Sequence, residues 1–492
     1  MSLGLYISIP FCRTKCSYCN FASDVFSKSA YENYVARLLE DIANSRQLAS
    51  ELGCAFGSAL GCTYDDTADS IYLGGGTPSI LEAAQLRSIF AAVRGQFAVT
   101  PDAEITVECA PGTLTPALIE TLLQCGVNRV SLGVQSFVDQ EAQSVGRLHK
   151  RATVLEEIGR LREAGLANIS IDLIAGLPHQ TADSWAFSLS ETIATGVPHA
   201  SVYMLEVDED SRLGRELIAG GARYHAHFVP DDDATADFYQ QACETLASAG
   251  IAQYEISNFA RTALHSKNGE SQSNESRHNL KYWTRQPYLG FGVDAHSMLR
   301  VVERRAPSPV PVGAVALGGA AERNSAAARD HANSRSAMAP DGIEAVRHQA
   351  VRFANPDSLD AYMNRVPHTV TPVSAQAAIE ESFFLGLRLN RGVDLDRLRI
   401  WSRFWDGHDF SRAINVAGMT ALPAEANRVS RQEFTPVATW ESAIQQCVHD
   451  GLLEQRGTTL RLTARGRLLS NEVFARFLAE ETKVGTGHVN PR

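Results

Sequence analysis

The sequence lacks a positively charged start, because no lysine or arginine precedes Arg13, and so its beginning does not resemble a secretory signal. It also lacks an uninterrupted apolar run close to the roughly 20 residues that cross a bilayer. There is no long block of lysine or arginine, and the net charge is −11, which disfavours nucleic acid as the main partner. We therefore expect a cytoplasmic protein that does not bind nucleic acid.

Cysteine is also scarce, since nine residues in a chain of 492 do not suggest a disulfide framework. Three of the nine are nevertheless crowded together, as Cys12, Cys16 and Cys19, with the spacing C-x3-C-x2-C. Thiolates hold iron–sulfur clusters or zinc. A structural zinc site takes four ligands, and no fourth cysteine or histidine follows in this loop. The spacing favours a [4Fe–4S] cluster with one iron open, and free cysteines or a zinc site completed elsewhere are the alternatives.

Short β-rich runs alternate with amphipathic helical patterns over about the first 207 residues. The predicted strands are residues 5–9, 70–73, 104–108, 129–134, 169–174 and 201–205. The predicted helices are residues 31–43, 83–93, 117–124, 154–164 and 184–194. Such units imply an α/β fold with a parallel sheet, and six of them are too few to close a full eight-stranded barrel. We expect ligands beyond the carboxyl ends of the strands.

The remaining segments have other patterns. Residues 50–69 predict an inserted loop, because they are rich in Gly, Ala and Asp. Later elements predict a winged-helix-like α+β module, with helices at 376–389, 440–451 and 466–477 and a strand at 458–462. The predicted division is a barrel at 1–260, a connecting segment at 261–303, a flexible insertion at 304–340 and the C-terminal module at 341–492.

Polar and glycine residues stand at or near the carboxyl ends of successive predicted strands. Glycines 74–76 end the second strand, where they let the backbone approach a ligand closely. Glu108 ends the third strand, Gln135 follows the fourth and Asp172 lies within the fifth, while Arg147 lies in the segment after the fourth. Carboxylates and an amide accept ribose hydroxyls, and an arginine pairs with a carboxylate. Together these residues predict one binding site.

The C-x3-C-x2-C loop after the first strand resembles the radical SAM superfamily. The resemblance implies a partial (β/α)6 barrel in which the three cysteines hold a [4Fe–4S] cluster and the open iron chelates S-adenosylmethionine (SAM). It also implies that Gly75, Gly76 and Thr77 bind the methionine end of SAM.

The wider set of residues resembles the oxygen-independent coproporphyrinogen III oxidase branch of that superfamily. By this resemblance Tyr6 and Tyr18 flank the cofactor, together with Glu108, Gln135, Arg147 and Asp172. Two positions depart from the branch, since Ser8 stands where it usually has histidine and Ala110 where it usually has asparagine. Both changes remove side-chain hydrogen bonds, which puts cofactor affinity or radical chemistry in doubt and leaves cluster binding intact.

Two features resemble the haem-chaperone (HemW-like) members of this branch. Phe21 occupies the place of the fourth cysteine found in the oxidases. The segment His278-Asn279-Leu280-Lys281-Tyr282-Trp283 matches an H-N-x-x-Y-W motif associated with haem. The resemblance implies haem contact by His278, Asn279, Tyr282 and Trp283, and the other interpretation is a helix packed under the barrel mouth.

The resulting expectation is a protein that binds haem and delivers it to an acceptor. The acceptor implied is a respiratory haem protein, which would allow peripheral association with a membrane. If SAM is cleaved, an electron donor such as flavodoxin or ferredoxin is required. The enzymatic alternative is radical decarboxylation of coproporphyrinogen III, which would make the chain an oxidoreductase.

Overall fold

A computed structural model describes residues 2–52, 66–261, 273–302, 348–398 and 436–477. Six parallel strands form its first part, and each pairs with the next one in the chain. They are β1 (Leu3–Ile9), β2 (Thr67–Gly75), β3 (Ala98–Cys109), β4 (Arg129–Gln135), β5 (Ile169–Ala175) and β6 (His199–Met204). Because helices cover both faces of a parallel sheet, its strands are nearly continuous apolar sequences, as β1 is. The six strands predicted from the sequence and their parallel order are confirmed.

Helices connect these strands, and all but the short α4 bury an apolar face. They are α1 (Lys28–Glu51), α2 (Ala83–Gln96), α3 (Pro116–Gln124), α4 (Asp139–Ser144), α5 (Arg151–Glu163) and α6 (Ala182–Ala194). Their starts follow from the sequence, as in α3, where the hydroxyl of Thr115 accepts the N–H of Leu118 at 3.2 Å and Pro116 takes the first position. The five helices predicted in this part are confirmed.

The sheet continues beyond both edges of this unit. The order is β12-β11-β10-β9-β1-β2-β3-β4-β5-β6-β8-β7, and β9 lies parallel to β1. The added strands are β7 (Ile251–Gln253), β8 (Asn258–Arg261), β9 (Tyr288–Phe291), β10 (His296–Val302), β11 (His348–Ala354) and β12 (Thr369–Val373). The added helices are α7 (Arg212–Ile218), α8 (Asp232–Ser248), α9 (Arg277–Trp283) and α10 (Leu359–Met363). The β/α unit is therefore the centre of a wider open sheet.

The last part of the chain packs around a second apolar core, in which the rings of Phe383, Trp440 and Phe477 meet. Its elements are α11 (Ala375–Leu387), β13 (Val393–Asp394), α12 (Pro436–His449), β14 (Leu453–Arg456), β15 (Thr459–Leu462), α13 (Ala464–Leu468) and α14 (Ser470–Ala475). The three strands form a small antiparallel sheet in the order β13-β15-β14. The winged-helix assignment of this part stays a prediction.

Two predictions about local structure need correction. The single helix predicted at 466–477 is two helices, because Leu469 between them has non-helical angles of φ −105° and ψ 29°. Of the loop predicted at 50–69, residues 50–51 belong to α1 and residues 67–69 to β2, while residues 53–65 lie outside the described residues. The insertion predicted at 304–340 lies outside the described residues, and the domain boundaries stay predictions. Within the described ranges, no helix is both long enough and apolar enough to cross a membrane.

Candidate cofactor site

The loop that follows β1 brings three cysteines together at the carboxyl end of the sheet. The N–H of Cys12 donates to the carbonyl of Asp24 at 3.0 Å, and the N–H of Cys19 donates to the carbonyl of Cys16 at 3.3 Å. Cys16 is buried, and the other two are partly exposed. The main chain thus closes the loop on itself.

Segments from distant parts of the chain hold this loop in place. The N–H of Ser17 donates to the carbonyl of Val145 at 3.2 Å, and the hydroxyl of Thr14 donates to the carbonyl of Gly146 at 3.0 Å. From α7, the N–H of Leu213 donates to the carbonyl of Ser17 at 2.8 Å. These bonds connect the loop to the segment after α4 and to α7, so its geometry depends on the assembled barrel.

Hydrogen-bond donors face two of the three sulfur atoms. The hydroxyl of Thr77 lies 3.7 Å from Sγ of Cys12, and Nη1 of Arg147 lies 3.6 Å from Sγ of Cys16. Burial raises the pKa of the Cys12 and Cys19 thiols, so both are protonated at neutral pH until a ligand displaces the protons. Donors to sulfur and a nearby guanidinium stabilise thiolate once it forms.

The cysteine loop fits an iron–sulfur cluster. Thiolates are the ligands that such clusters take from proteins, and each one binds a separate iron. Across the described ranges, no three His, Cys, Asp or Glu side chains converge on the position of a single metal ion. Cys12, Cys16 and Cys19 offer one thiol to each of three irons.

The glycine turn at the end of β2 lies directly against the strand that leads into the cysteine loop. The N–H of Gly76 donates to the carbonyl of Ile9 at 2.9 Å, and the N–H of Thr77 donates to the carbonyl of Phe11 at 2.8 Å. A Cβ atom added at Gly76 would lie 2.7 Å from the oxygen of Ile9 and 2.8 Å from that of Phe11. Gly75 has a φ of +97°, which strains other residues. This contact therefore requires glycine.

Glu108 lies beside the glycine turn, on the inner face of β3. Its Oε1 accepts the hydroxyl of Tyr72 at 2.8 Å, and its Oε2 accepts the N–H of Gly75 at 3.2 Å. Burial, and then the nearby charge of Asp172, raises the pKa of Glu108 to about 7, against the lowering effect of these hydrogen bonds. A carboxyl group that titrates near neutrality at a strand end is a candidate functional group.

The other polar residues of the predicted site come from β4, β5 and the segment after β4. Gln135 is the last residue of β4 and has a φ of 69°, and the guanidinium of Arg147 donates to the carbonyl of Gly133. Asp172 lies in the middle of β5, and both of its oxygens accept the hydroxyl of Ser131 at 3.0 Å. Asp172 is therefore deeper in the barrel than Glu108 and Gln135, which stand at the carboxyl ends of their strands.

The two tyrosines of the prediction have different neighbours. The ring of Tyr6 is stacked at 6.2 Å from that of Tyr72, and its phenol is hydrogen-bonded to Ser8, one of the two departures from the branch. Tyr18 packs with Val145 beside the cysteine loop, and burial raises its pKa well above the usual range. Both phenols are therefore neutral at physiological pH.

His278 lies on α9, which begins where the hydroxyl of Ser276 accepts the N–H of Asn279 at 3.3 Å. The imidazole is only 1% exposed, and both of its nitrogens are hydrogen-bonded. Nδ1 lies 3.1 Å from the hydroxyl of Ser70, and Nε2 lies 2.7 Å from the phenol of Tyr282. Burial, and then the charge of Lys281, lowers the pKa of His278 to about 3. The predicted helical pairing of His278 and Tyr282 is thus present.

The aromatic residues at the end of α9 are packed against other parts of the protein. The ring of Tyr282 meets that of Tyr288 edge to face at 4.6 Å. The guanidinium of Arg388 lies 4.2 Å from the ring centroid of Trp283. In this arrangement the motif on α9 joins the barrel to the last part of the chain.

Sequence reasoning missed the residue that connects this motif with the cofactor site. Tyr72 of β2 stacks on His278, with ring centroids 5.4 Å apart, while its hydroxyl donates to Glu108. The sequence did contain a signal for it. Side chains alternate between the two faces of a strand, which places Ser70, Tyr72 and Gly74 on one face of β2. A tyrosine on the inner face of a barrel strand was a candidate for the site.

Comparison with known proteins agrees with this geometry. The family model of the radical SAM superfamily matches residues 6–189. The solved structure of HemN, the coproporphyrinogen III oxidase of Escherichia coli, is similar with a TM-score of 0.64 and 20% identity, covering 97% of this chain and 90% of that one. At this identity the structural likeness concerns the fold. The fold and the cysteine loop define a radical SAM protein.

Similar proteins of named function narrow the family assignment within the radical SAM superfamily. The heme chaperone HemW of Bacillus subtilis is 28% identical over 476 residues, which are 96% of this chain and 99% of that protein. The heme chaperones HemW of Lactococcus lactis and Escherichia coli are each 31% identical over 62% of this chain and 72% of their own. This chain belongs to the HemW family of the radical SAM superfamily. Membership implies SAM and a [4Fe–4S] cluster as cofactors.

Proposed function

We propose that this chain is a haem chaperone, which binds haem together with a SAM-coordinated [4Fe–4S] cluster and transfers the haem to an acceptor protein. The observation that carries the proposal is the similarity to HemW of Bacillus subtilis over nearly the full length of both chains. Phe21 supports it, because it takes the place of the oxidases' fourth cysteine and its side chain is half exposed.

In this proposal Cys12, Cys16 and Cys19 hold the cluster. When reduced, the cluster would supply the electron that cleaves SAM, as it does in other proteins of this superfamily. The residues around it bind and orient SAM. They are Tyr6, Tyr18, Gly75, Gly76, Thr77, Glu108, Gln135, Arg147 and Asp172. The turn at Gly75 and Gly76 brings main-chain groups within reach of the methionine end, and Glu108 accepts a ribose hydroxyl.

The motif on α9 is proposed to contact haem through His278, Asn279, Tyr282 and Trp283. Contact with the imidazole of His278 requires α9 to move, because the ring is buried and bonded at both nitrogens. Asn279, Tyr282 and Trp283 are only partly buried, so a macrocycle reaches them before His278. Tyr72 connects the motif to Glu108 and thus to the SAM pocket.

The partners follow from the function. The proposal requires a haem acceptor, for which we propose a respiratory haem protein, with peripheral membrane association through it. Flavodoxin or ferredoxin is the proposed electron donor where SAM is cleaved, and the cytoplasm is the proposed location.

A paired assay on the anaerobically reconstituted protein tests the proposal. We expect stoichiometric uptake of haem and its transfer to an apo-acceptor, followed by the Soret band of each protein. With coproporphyrinogen III and SAM we expect no protoporphyrinogen above background, because Phe21 replaces the oxidases' fourth cysteine. Decarboxylation with turnover of SAM would establish the oxidase instead.

The affinity for SAM is expected to depend on pH through Glu108. Its pKa of about 7 leaves the group largely neutral below that value, whereas the carboxylate formed above it accepts a ribose hydroxyl and attracts the sulfonium. The affinity should therefore rise, by about three- to tenfold between about pH 6 and pH 8. Isothermal titration calorimetry with the cluster-loaded protein measures this difference.

Two variants give this titration its controls. Glu108→Gln should flatten the rise, because the amide does not titrate, and should bind more weakly at high pH. Glu120→Gln removes an exposed carboxylate of α3 and should keep the wild-type profile. An unchanged slope in Glu108→Gln would show that another group causes the pH dependence.

A further inference from the structure

Three arginines lie around the aromatic end of α9, and none of them belongs to the residues that hold the cluster or SAM. They are Arg285, which follows α9, Arg352 of β11 and Arg388, which caps α11. Nε of Arg285 and Nη1 of Arg352 each lie 2.9 Å from a carboxylate oxygen of Glu381. Nη2 of Arg388 lies 3.6 Å from Oε2 of Glu255. Three guanidinium groups thus share two carboxylates, which leaves an excess positive charge beside the motif on α9.

Strand register places Arg352 close to one aromatic residue of the motif. Tyr288 of β9 is opposite Met298 of β10, which is opposite Arg352 of β11, so the three side chains lie on one face of the sheet. Burial raises the pKa of Tyr288, and Arg352 is the charged group that opposes this rise most strongly. The ring of Tyr288 in turn meets that of Tyr282. Arg352 is therefore connected to the motif through Tyr288, and 39% of its side chain is exposed.

Arg388 lies at the other aromatic residue of the motif. Its guanidinium is 4.2 Å from the ring centroid of Trp283, and the fully buried carboxylate of Glu255 pairs with it there. Glu381 and Arg388 are seven positions apart, which is about two helical turns, so they lie on one face of α11. This face meets α9, because Trp283 and Arg285 contact it. The cations at Glu381 and at position 388 are thus separated by about 10 Å along α11.

Four buried N–H groups at this end of α9 have no hydrogen-bond acceptor among the described residues. They are Nε1 of Trp283, Nη2 of Arg285, Nε of Arg352 and Nε of Arg388. A buried donor without an acceptor destabilises a folded protein, and such donors are rare. Several of them close together favour an acceptor that comes from a ligand. Carboxylate is the acceptor with which arginine forms its strongest hydrogen bonds.

We propose that this end of α9 is the binding site for the two propionate groups of haem, with Arg352 taking one carboxylate and Arg388 the other. The macrocycle then lies on the partly buried rings of Tyr282 and Trp283, which these arginines flank. A guanidinium offers two parallel N–H groups to a carboxylate, so the pairing fixes the orientation of the ring as well as its position. This inference rests on the proposed function and names the groups that recognise the charged edge of its cargo.

The test compares haem with haem dimethyl ester, in which both propionates are uncharged, by titration of the cluster-loaded full chain followed through the Soret band. The wild type should bind haem at least about tenfold more tightly than the ester. Arg352→Gln should weaken haem binding about tenfold and leave binding of the ester unchanged, so that the ratio of the two affinities falls. Glu381 keeps Arg285 as its partner in this variant, which protects the fold.

Position 388 needs a change that conserves charge, because Arg388 compensates the buried carboxylate of Glu255. Arg388→Lys keeps the charge and removes the planar pair of N–H donors, so it should also lower the ratio of affinities. Arg456→Gln, which removes an exposed arginine of β14, is the control and should keep the wild-type ratio.

Equal affinity of the wild type for haem and its dimethyl ester would overturn the inference and leave haem binding intact. An equal loss of both ligands in Arg352→Gln would show that this arginine serves packing alone. Release of haem by excess inorganic phosphate would show a general anion site instead of a propionate site. If the wild type takes up neither ligand, the proposed function fails as well.

Discussion

Replacing any one of Cys12, Cys16 and Cys19 by alanine is expected to remove most of the iron and sulfide that the protein binds after anaerobic reconstitution. Each thiolate binds its own iron, so no other ligand of the loop substitutes for a missing one. Changes to groups around a metal site already lower affinity by roughly 10- to 100-fold, and the loss of a ligand should exceed that. Iron and sulfide analysis, with the visible sulfur-to-iron absorbance, measures the effect.

Comparing the loop variants with a cysteine variant outside the loop makes this experiment more decisive. Cys243→Ala removes a thiol from α8, outside the loop, and should leave the iron content unchanged. Because burial raises the pKa of the Cys12 and Cys19 thiols, cluster loading should also be faster at higher pH, where both lose their protons more readily. Full iron content in the three loop variants would disprove the assignment, and zinc bound in place of iron would favour the alternative metal site.

The sequence predicts those parts of the molecule that depend on short stretches of chain. The strands of the barrel are short apolar runs between turns, and the helices show an apolar face at helical spacing. The cysteine loop is equally local, because its three thiols lie within eight residues. Glu108 and Gln135 could be assigned to the site because parallel strands end at one edge.

The remaining features depend on contacts between distant segments. Ser70 and His278 are 208 positions apart and meet only when α9 packs against β2. No local pattern shows that this contact buries the imidazole, so the sequence could not decide whether His278 is accessible to haem. The contact between the imidazoles of His179 and His225 was missed for the same reason, since the two residues come from separate segments. The break at Leu469 was missed although Ser470 and Asn471, which follow it, are residue types that favour the start of a helix.

Gly76→Ala is expected to impair both folding stability and cofactor binding. The added methyl group would lie under 3.0 Å from main-chain atoms of Ile9 and Phe11, which cannot move aside as the end of a flexible side chain does. Overpacking of this kind costs about 1–3 kcal/mol. Phe11 precedes Cys12, so the strand shift that relieves the clash also displaces the cysteine loop. The midpoint of urea unfolding and the SAM affinity of the cluster-loaded protein measure the two effects.

Gly95→Ala is the matched control, since it makes the same change in α2, where an added Cβ meets no atom within 4 Å. In a helix alanine is favoured over glycine by about 1 kcal/mol, so this variant should be slightly more stable than the wild type and should bind SAM equally well. If Gly76→Ala loses stability but keeps its SAM affinity, the turn serves only the packing of β1 against β2. A loss of affinity beyond about tenfold, at a temperature where the variant is folded, would show that the close approach of this turn to the cysteine loop is what positions the cofactor.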